Sequence, residues 1–279
     1  MPVEVRYIPD DRTYERMTTE ELRRAFLVDS LFTPGSIGMT YCETDRVILG
    51  GVLPLATPLS LQASKKEMSA DYFAERRELG IVNLGGTGVV GADGKEFTLR
   101  PRDMAYIGRG TRTIDFRSSN PSEPAVFYFA SYPAHANYPS ALITYADADR
   151  SHLGALETSN KRTINRYIHA GGVKSCQLVM GMTELESGSV WNTMPPHTHQ
   201  RRMEVYLYYG LGPDDIVVHL MGKPEATRSM IMRDRQAIVS PSWSIHCAAA
   251  TRNYMFVWAM GGENQEFGDM DAVPMKDIR

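Results

Sequence analysis

Three histidines and one glutamate, His197, His199, Glu204 and His246, have the types and spacing that could hold a metal ion. Imidazole nitrogen and carboxylate oxygen suit Zn, Fe, Mn, Ni or Cu, and no thiolate is needed. In Pro196-His197-Thr198-His199-Gln200-Arg201-Arg202-Met203-Glu204, the alternation of side chains along a strand sends His197 and His199 to the same side. Glu204 sits an odd number of positions past His199, so it joins them only if the intervening residues bend, bulge or turn into the next strand. His246 arrives from the distant segment Ser240-Pro241-Ser242-Trp243-Ser244-Ile245-His246, where a turn-forming proline feeds a short strand. These four side chains meet only across strands, so the elements that position them must belong to a sheet.

The rest of the chain sets bounds. With 279 residues, 43% hydrophobic and 23% charged, it is long enough for one large core or two smaller ones. A net charge of -3 offers no general attraction to nucleic acid or anionic membranes. Cys42, Cys176 and Cys247 are odd in number and far apart, which points to reduced thiols in the cytoplasm. Cys247 should face away from its neighbour His246. The first residues carry acids and prolines where an export signal needs an apolar run, and no window approaches the ~18 apolar residues of a membrane span.

One helix is predicted near the start, where Thr18 and Glu21 form a capping box ahead of an amphipathic run. After it, short β-prone runs at 46–53, 80–84, 87–90, 97–99, 104–107 and 126–130 are separated by Gly, Asp and Pro turns. Ala92-Asp93-Gly94-Lys95 reads as a hairpin tip. A second series runs from Cys176 to Met260, and the polar stretch 138–166 reads as the connection. The halves overlay on two patterns, Arg76 to Gly85 on Arg201 to Gly210 and Asp103 to Gly110 on Gln236 to Trp243. The expected organisation is therefore all-β, two β-barrels with a short N-terminal helix and connecting segments, divided as 1–140 and 141–279. The first half has no histidine before His135, so only the second can hold the ion. Gly86 to Gly91 fits a dinucleotide-binding glycine pattern but precedes a hairpin, leaving no helix N-terminus for a pyrophosphate.

The blocks around His197-Thr198-His199, Glu204 and Pro241 to His246 resemble those of cupin barrels, except that Gly188 lies farther upstream than usual and Trp243 replaces a glycine. More specifically, the segments 73–80, 158–165, 191–204, 240–246 and 262–265 resemble the 5-keto-4-deoxyuronate isomerases, or 4-deoxy-L-threo-5-hexosulose-uronate ketol-isomerases. The resemblance implies a pectin- and uronate-degrading enzyme that interconverts 4-deoxy-L-threo-5-hexosulose uronate and 3-deoxy-D-glycero-2,5-hexodiulosonate. It also implies one Zn2+ held by His197, His199, Glu204 and His246, and a homohexamer. Moving a carbonyl from C1 to C2 requires a base, for which Glu78, Tyr206, Glu263 and a hydroxide on the metal are candidates. The substrate carboxylate calls for a guanidinium or ammonium partner, and Lys161, Arg162, Arg201 and Arg202 are the candidates. Trp191 and Trp243 could wall the cavity or pack in the core. A cupin-type dioxygenase with the same ligands, and a non-catalytic uronate-binding barrel, are the competing readings.

Overall fold

Short runs rich in β-branched and aromatic residues become strands here, and many, such as Arg77–Asn83 and Arg202–Tyr209, are buried along their whole length. The structure is a computed structural model that describes residues 3–279. Two compact units emerge. The first comprises Ser30–Ala148 with the segment up to Arg6 and Tyr167–Val179, and the second comprises Tyr7–Asp29, Asp149–Arg166 and Met180–Arg279.

Each unit is built from a seven-stranded and a four-stranded sheet in the same order. In the first, the larger sheet runs Glu4–Arg6, Ile37–Cys42, Ile48–Val52, Phe127–Pro133, Arg77–Asn83, Met104–Ile107, Ala141–Ile143. In the second it runs Asp149–Leu153, Arg162–Ile168, Val179–Leu185, Met255–Gly262, Arg202–Tyr209, Ala237–Ser240, Leu27–Val28. The smaller sheets are Leu59–Ser60, Ile114–Ser118, Gly88–Ala92, Lys95–Leu99 and Trp191–Asn192, Ile245–Ala250, Val217–Gly222, Arg228–Met232. Among the described residues the two sheets of a unit face each other without closing into one hydrogen-bonded cylinder. The expected all-β class and the duplication hold.

Register confirms the overlay of the halves. Leu79 lies opposite Ile107 where Glu204 lies opposite Ser240. The interiors differ sharply: in the first unit Leu79, Ile81, Ile107, Phe116, Phe127 and Phe129 belong to one apolar core. In the second, Glu204, Tyr206, Tyr208, His219 and His246 are buried at the heart of the unit.

The helix is Thr19–Phe26, capped as expected: Thr18 Oγ1 accepts from Glu21 N, and the Glu21 carboxylate accepts from Thr18 N at 2.7 Å. Leu22 and Phe26 are buried, and the chain then enters the strand Leu27–Val28, which pairs with Ala237–Ser240. The hairpin tip is as read, with Asp93 at φ 49° and Gly94 at φ 80° between the paired Ala92 and Lys95. The stretch 138–166 is more ordered than a connection. It holds Ala141–Ile143, Asp149–Leu153 and the start of Arg162–Ile168. Asp149–Leu153 is an edge strand with no buried residue, so no alternation betrays it in the sequence.

One glycine determines how the interior of the second unit is shaped. A Cβ on Gly181 would stand 2.2 Å from the Trp258 ring and 2.4 Å from Asn165 O. Gly181→Ala is therefore expected to displace the indole and destabilise the protein by roughly 1–3 kcal/mol. A blue-shifted or unchanged tryptophan emission spectrum with an unaltered melting temperature would contradict this.

Candidate metal centre

The bend that the sequence demanded is present. His197–Thr198 is a two-residue strand, residues 200–201 form a turn closed by Arg202 N donating to His199 O at 3.3 Å, and the strand Arg202–Tyr209 follows. That reversal carries Glu204 back beneath the two histidines. His246 is the second residue of Ile245–Ala250, on the facing sheet. Its neighbour Cys247 packs with Ile245 and Val273, away from it.

The four donor atoms lie within 4.8 Å of one another, the one such group found among the described residues. His246 Nε2 is 3.0 Å from both His197 Nε2 and Glu204 Oε2, and His199 Nε2 is 3.1 Å from the same oxygen. Nδ1 of His199 lies 3.3 Å from Arg202 O, and Nδ1 of His246 lies 3.3 Å from Ser244 O. A carbonyl accepts only, so these contacts put the ring proton on Nδ1 and turn the Nε2 lone pairs inward.

The electrostatics agree with a cation. Burial, and then His246, push the His197 imidazole down to about 2, so it is neutral. Burial alone would favour a protonated Glu204; positive charge at the positions of His246 and His199 outweighs it and holds the carboxyl below its ordinary range, and with the Nε2 lone pairs turned inward a bound cation would supply that charge. Inward-facing lone pairs around a carboxylate repel one another unless a positive charge sits among them, and His199 Nε2 is buried without an aligned hydrogen bond. Separations of about 3 Å match the edges of a coordination shell with bonds of about 2.0–2.2 Å. The donor set fits a divalent transition ion.

A cavity of about 240 Å³ opens onto His197, His199 and Glu204. Arg162, Arg202 and Tyr206 line it, together with Phe256, Trp258 and Met260. The other candidates are elsewhere. Lys161 pairs with Glu186 at 3.0 Å, and Arg201 pairs with Asp269 at 2.6 Å and Asp271 at 3.1 Å. Glu78 is buried in the first unit, where its carboxylate accepts from Tyr106 Oη and from the backbone N–H of Cys176, Gln177 and Leu178. Glu263 is exposed. Trp243 stacks on Tyr14 at 4.7 Å, and Trp191 is not in the lining.

Arg162 and Arg202 do different things. Arg202 donates to Asn264 Oδ1 and to the carbonyls of Glu266, Phe267 and Asp269, so it shapes the rim. Arg162 spends Nη1 on Asn160 O at 2.9 Å and has no acidic partner among the described residues; burial lowers its pKa. Tyr206 Oη is 3.0 Å from Thr193 Oγ1, and burial raises the phenol well above its usual range. Phe256, Trp258 and Met260 were missed in the sequence, although their spacing of two on one strand marks a common face.

Residues 29–274 match the KduI/IolB family. The chain belongs to that family. Family relatives named 4-deoxy-L-threo-5-hexosulose-uronate ketol-isomerase are 50% identical in Caldicellulosiruptor bescii and 50% in Opitutus terrae, each alignment covering 99% of this chain and 100% of the relative. One from Formosa agariphila is 48% identical over 99% of this chain and 98% of its own. Among solved structures, an IolB-like protein of Salmonella typhimurium LT2 superposes with a TM-score of 0.72 at 15% identity, covering 89% of this chain and 96% of that one. A Bacillus subtilis oxalate decarboxylase variant gives 0.55 at 8% identity over 78% of this chain and 70% of its own. These two likenesses speak to the fold, which is cupin-like.

His219 lies inside the second unit with Tyr208 Oη 2.7 Å from Nδ1 and Nε2 buried without a partner. Burial pushes it down to about 3, against about 6.5 when unfolded. Below about 6.5 the unfolded chain takes up a proton that the folded one refuses, so stability falls as pH drops from there toward 3 and is level above. The melting temperature should decline across that window more steeply in the wild type than in His219→Gln. Parallel slopes would show that His219 does not carry the effect.

Proposed function

We propose that this protein is a metal-dependent ketol-isomerase that converts 4-deoxy-L-threo-5-hexosulose uronate to 3-deoxy-D-glycero-2,5-hexodiulosonate in uronate breakdown. One observation carries the reading: the cluster of three imidazoles and Glu204 opens, through His197, His199 and Glu204, onto a cavity that also holds Arg162, a half-buried guanidinium with no acidic partner among the described residues. An anionic sugar with adjacent oxygens needs both features. The near-50% identity to named isomerases along the whole chain supports the same substrate class. We assign Zn2+ to the site on the family resemblance, with which its nitrogen and oxygen donors are compatible. We place the protein in the cytoplasm on its three free cysteines, and as a homohexamer on the family resemblance.

Moving a carbonyl from C1 to C2 removes a proton from carbon beside the carbonyl and returns one to its neighbour, while negative charge gathers on oxygen. When bound, the divalent ion supplies Lewis acidity that acidifies the C–H and stabilises that charge. Arg162 holds the substrate carboxylate at the far end of the sugar through its uncommitted N–H groups. Tyr206 keeps its proton at neutral pH, so it donates a hydrogen bond to a substrate oxygen and does not serve as the base. Phe256 and Trp258 exclude water from the reacting carbons.

The test is to follow the C1 aldehyde by NMR under nitrogen, with and without chelator. Conversion without oxygen that stops on chelation is expected; dependence on O2 uptake would favour a dioxygenase. His246→Ala should lose bound metal by elemental analysis and lose turnover while keeping its far-UV CD spectrum, and a fully active variant would refute the site.

Arg162→Ala should raise KM by about 10–100-fold, the loss of a charged hydrogen-bonded pair of about 1.5–3 kcal/mol. Lys161→Ala and Arg201→Ala, whose charges are already paired outside the cavity, should change KM by less than about 3-fold. Equal effects from all three would sink the assignment of Arg162.

A further inference from the structure

The first unit has a cavity of its own, about 320 Å³ against about 240 Å³ for that of the second unit. Arg46, Arg76 and Arg77 line it with Tyr41, Glu67 and Phe73. Arg77 is the unusual member: it is 7% exposed, and no Asp or Glu stands among the groups that act on its charge, which are the Tyr41 and Tyr132 hydroxyls. Nε donates to Ser131 Oγ at 3.1 Å, and Nη2 donates to Ser131 O at 2.7 Å and to Arg46 O. Nη1 has no acceptor among the described residues and is not one of the enclosed polar atoms. A buried guanidinium without an ion-pair partner is a standing cost that a directly bound anion would remove.

The duplication explains why the space exists. Arg77 lies opposite Pro133 as Arg202 lies opposite Gly262, so the two arginines are counterparts. Arg202 donates to acceptors in residues 264–269, whereas the outer nitrogen of Arg77 meets no such loop among the described residues. At the rim, Arg46 has no ion pair among the described residues and Arg76 is paired with Glu75 at 3.0 Å. Glu67 adds one negative charge to the lining, which disfavours a dianion such as phosphate. Phe73 offers an apolar wall to a carbon skeleton.

We propose that this cavity binds a small monocarboxylate, its carboxylate on Arg77 Nη1 and Arg46 and its carbon skeleton against Phe73. The site lies in the unit without the His/Glu group and stands whether or not the isomerase reading does. The test is calorimetric titration of the full chain, in an Arg162→Ala, His246→Ala background that disables the other cavity, with D-galacturonate, D-galactose and inorganic phosphate. Galacturonate should bind with one site per chain and galactose should not. Arg77→Gln and Arg46→Glu should each weaken binding at least ~10-fold, the scale of one charge-assisted contact. Should Arg77→Gln fail to fold by CD, Arg46→Glu at the exposed rim decides. Absence of galacturonate binding up to millimolar concentration, or binding indifferent to the folded variants, would overturn the proposal. Phosphate binding as tightly as galacturonate would overturn the monocarboxylate assignment.

Discussion

Glu204 is a fully enclosed carboxylate, and the second unit is organised around making that charge tolerable. An ionised carboxylate in an apolar interior is prohibitively costly unless hydrogen-bonded, paired or bound to a cation. Here the oxygen lies 3.0–3.1 Å from Nε2 of His199, just past the strand His197–Thr198, and of His246 on the facing sheet, the arrangement in which a bound cation would offset the charge. Holding those rings requires the turn after His199, the carbonyls of Arg202 and Ser244, and the facing of one sheet against the other. The same requirement explains why polar groups occupy an interior that its duplicate fills with leucine, isoleucine and phenylalanine.

The two units show how one backbone plan supports different interiors. Strand order and register are repeated, yet Leu79 and Ile107 stand where Glu204 and Ser240 stand in the other copy. An apolar interior gains stability from burial and close packing alone. The polar interior gives up part of that gain, and what it acquires is a set of directed donor atoms. The candidate site therefore resides in a few inward-facing positions, while the sheets that carry them are common to both copies.

Much of this is legible in the sequence. The convergence of the candidate ligands His197, His199, Glu204 and His246 depends only on residue types and on a chain reversal that odd spacing makes obligatory, so the order of residues is enough to suggest it. The helix cap and the Asp93-Gly94 tip are equally local. What stays hidden depends on which way a side chain points. Lys161 and Arg162, like Arg201 and Arg202, are adjacent residues on or beside a strand, and strand alternation sends only one of each pair inward. The sequence marks four equal candidates, and the fold selects Arg162 and Arg202. Glu78 looks chemically available in the sequence for the same reason; its commitment to three backbone N–H groups is a matter of tertiary contact. Asp149–Leu153 is invisible there because an edge strand without a buried face has no pattern to show.

The strand Leu27–Val28 has a consequence for biosynthesis. It leaves the ribosome well before its partner Ala237–Ser240, which ends at Ser240, opposite Glu204. The first unit can gather its sheets while translation continues, whereas the nascent N-terminal helix and strand must wait for the C-terminal segment before their own sheet can close. The unit that carries the His/Glu group thus closes its larger sheet only after residues 237–240 are made, and a segment fused ahead of Leu27–Val28 is tethered to the sheet that they complete.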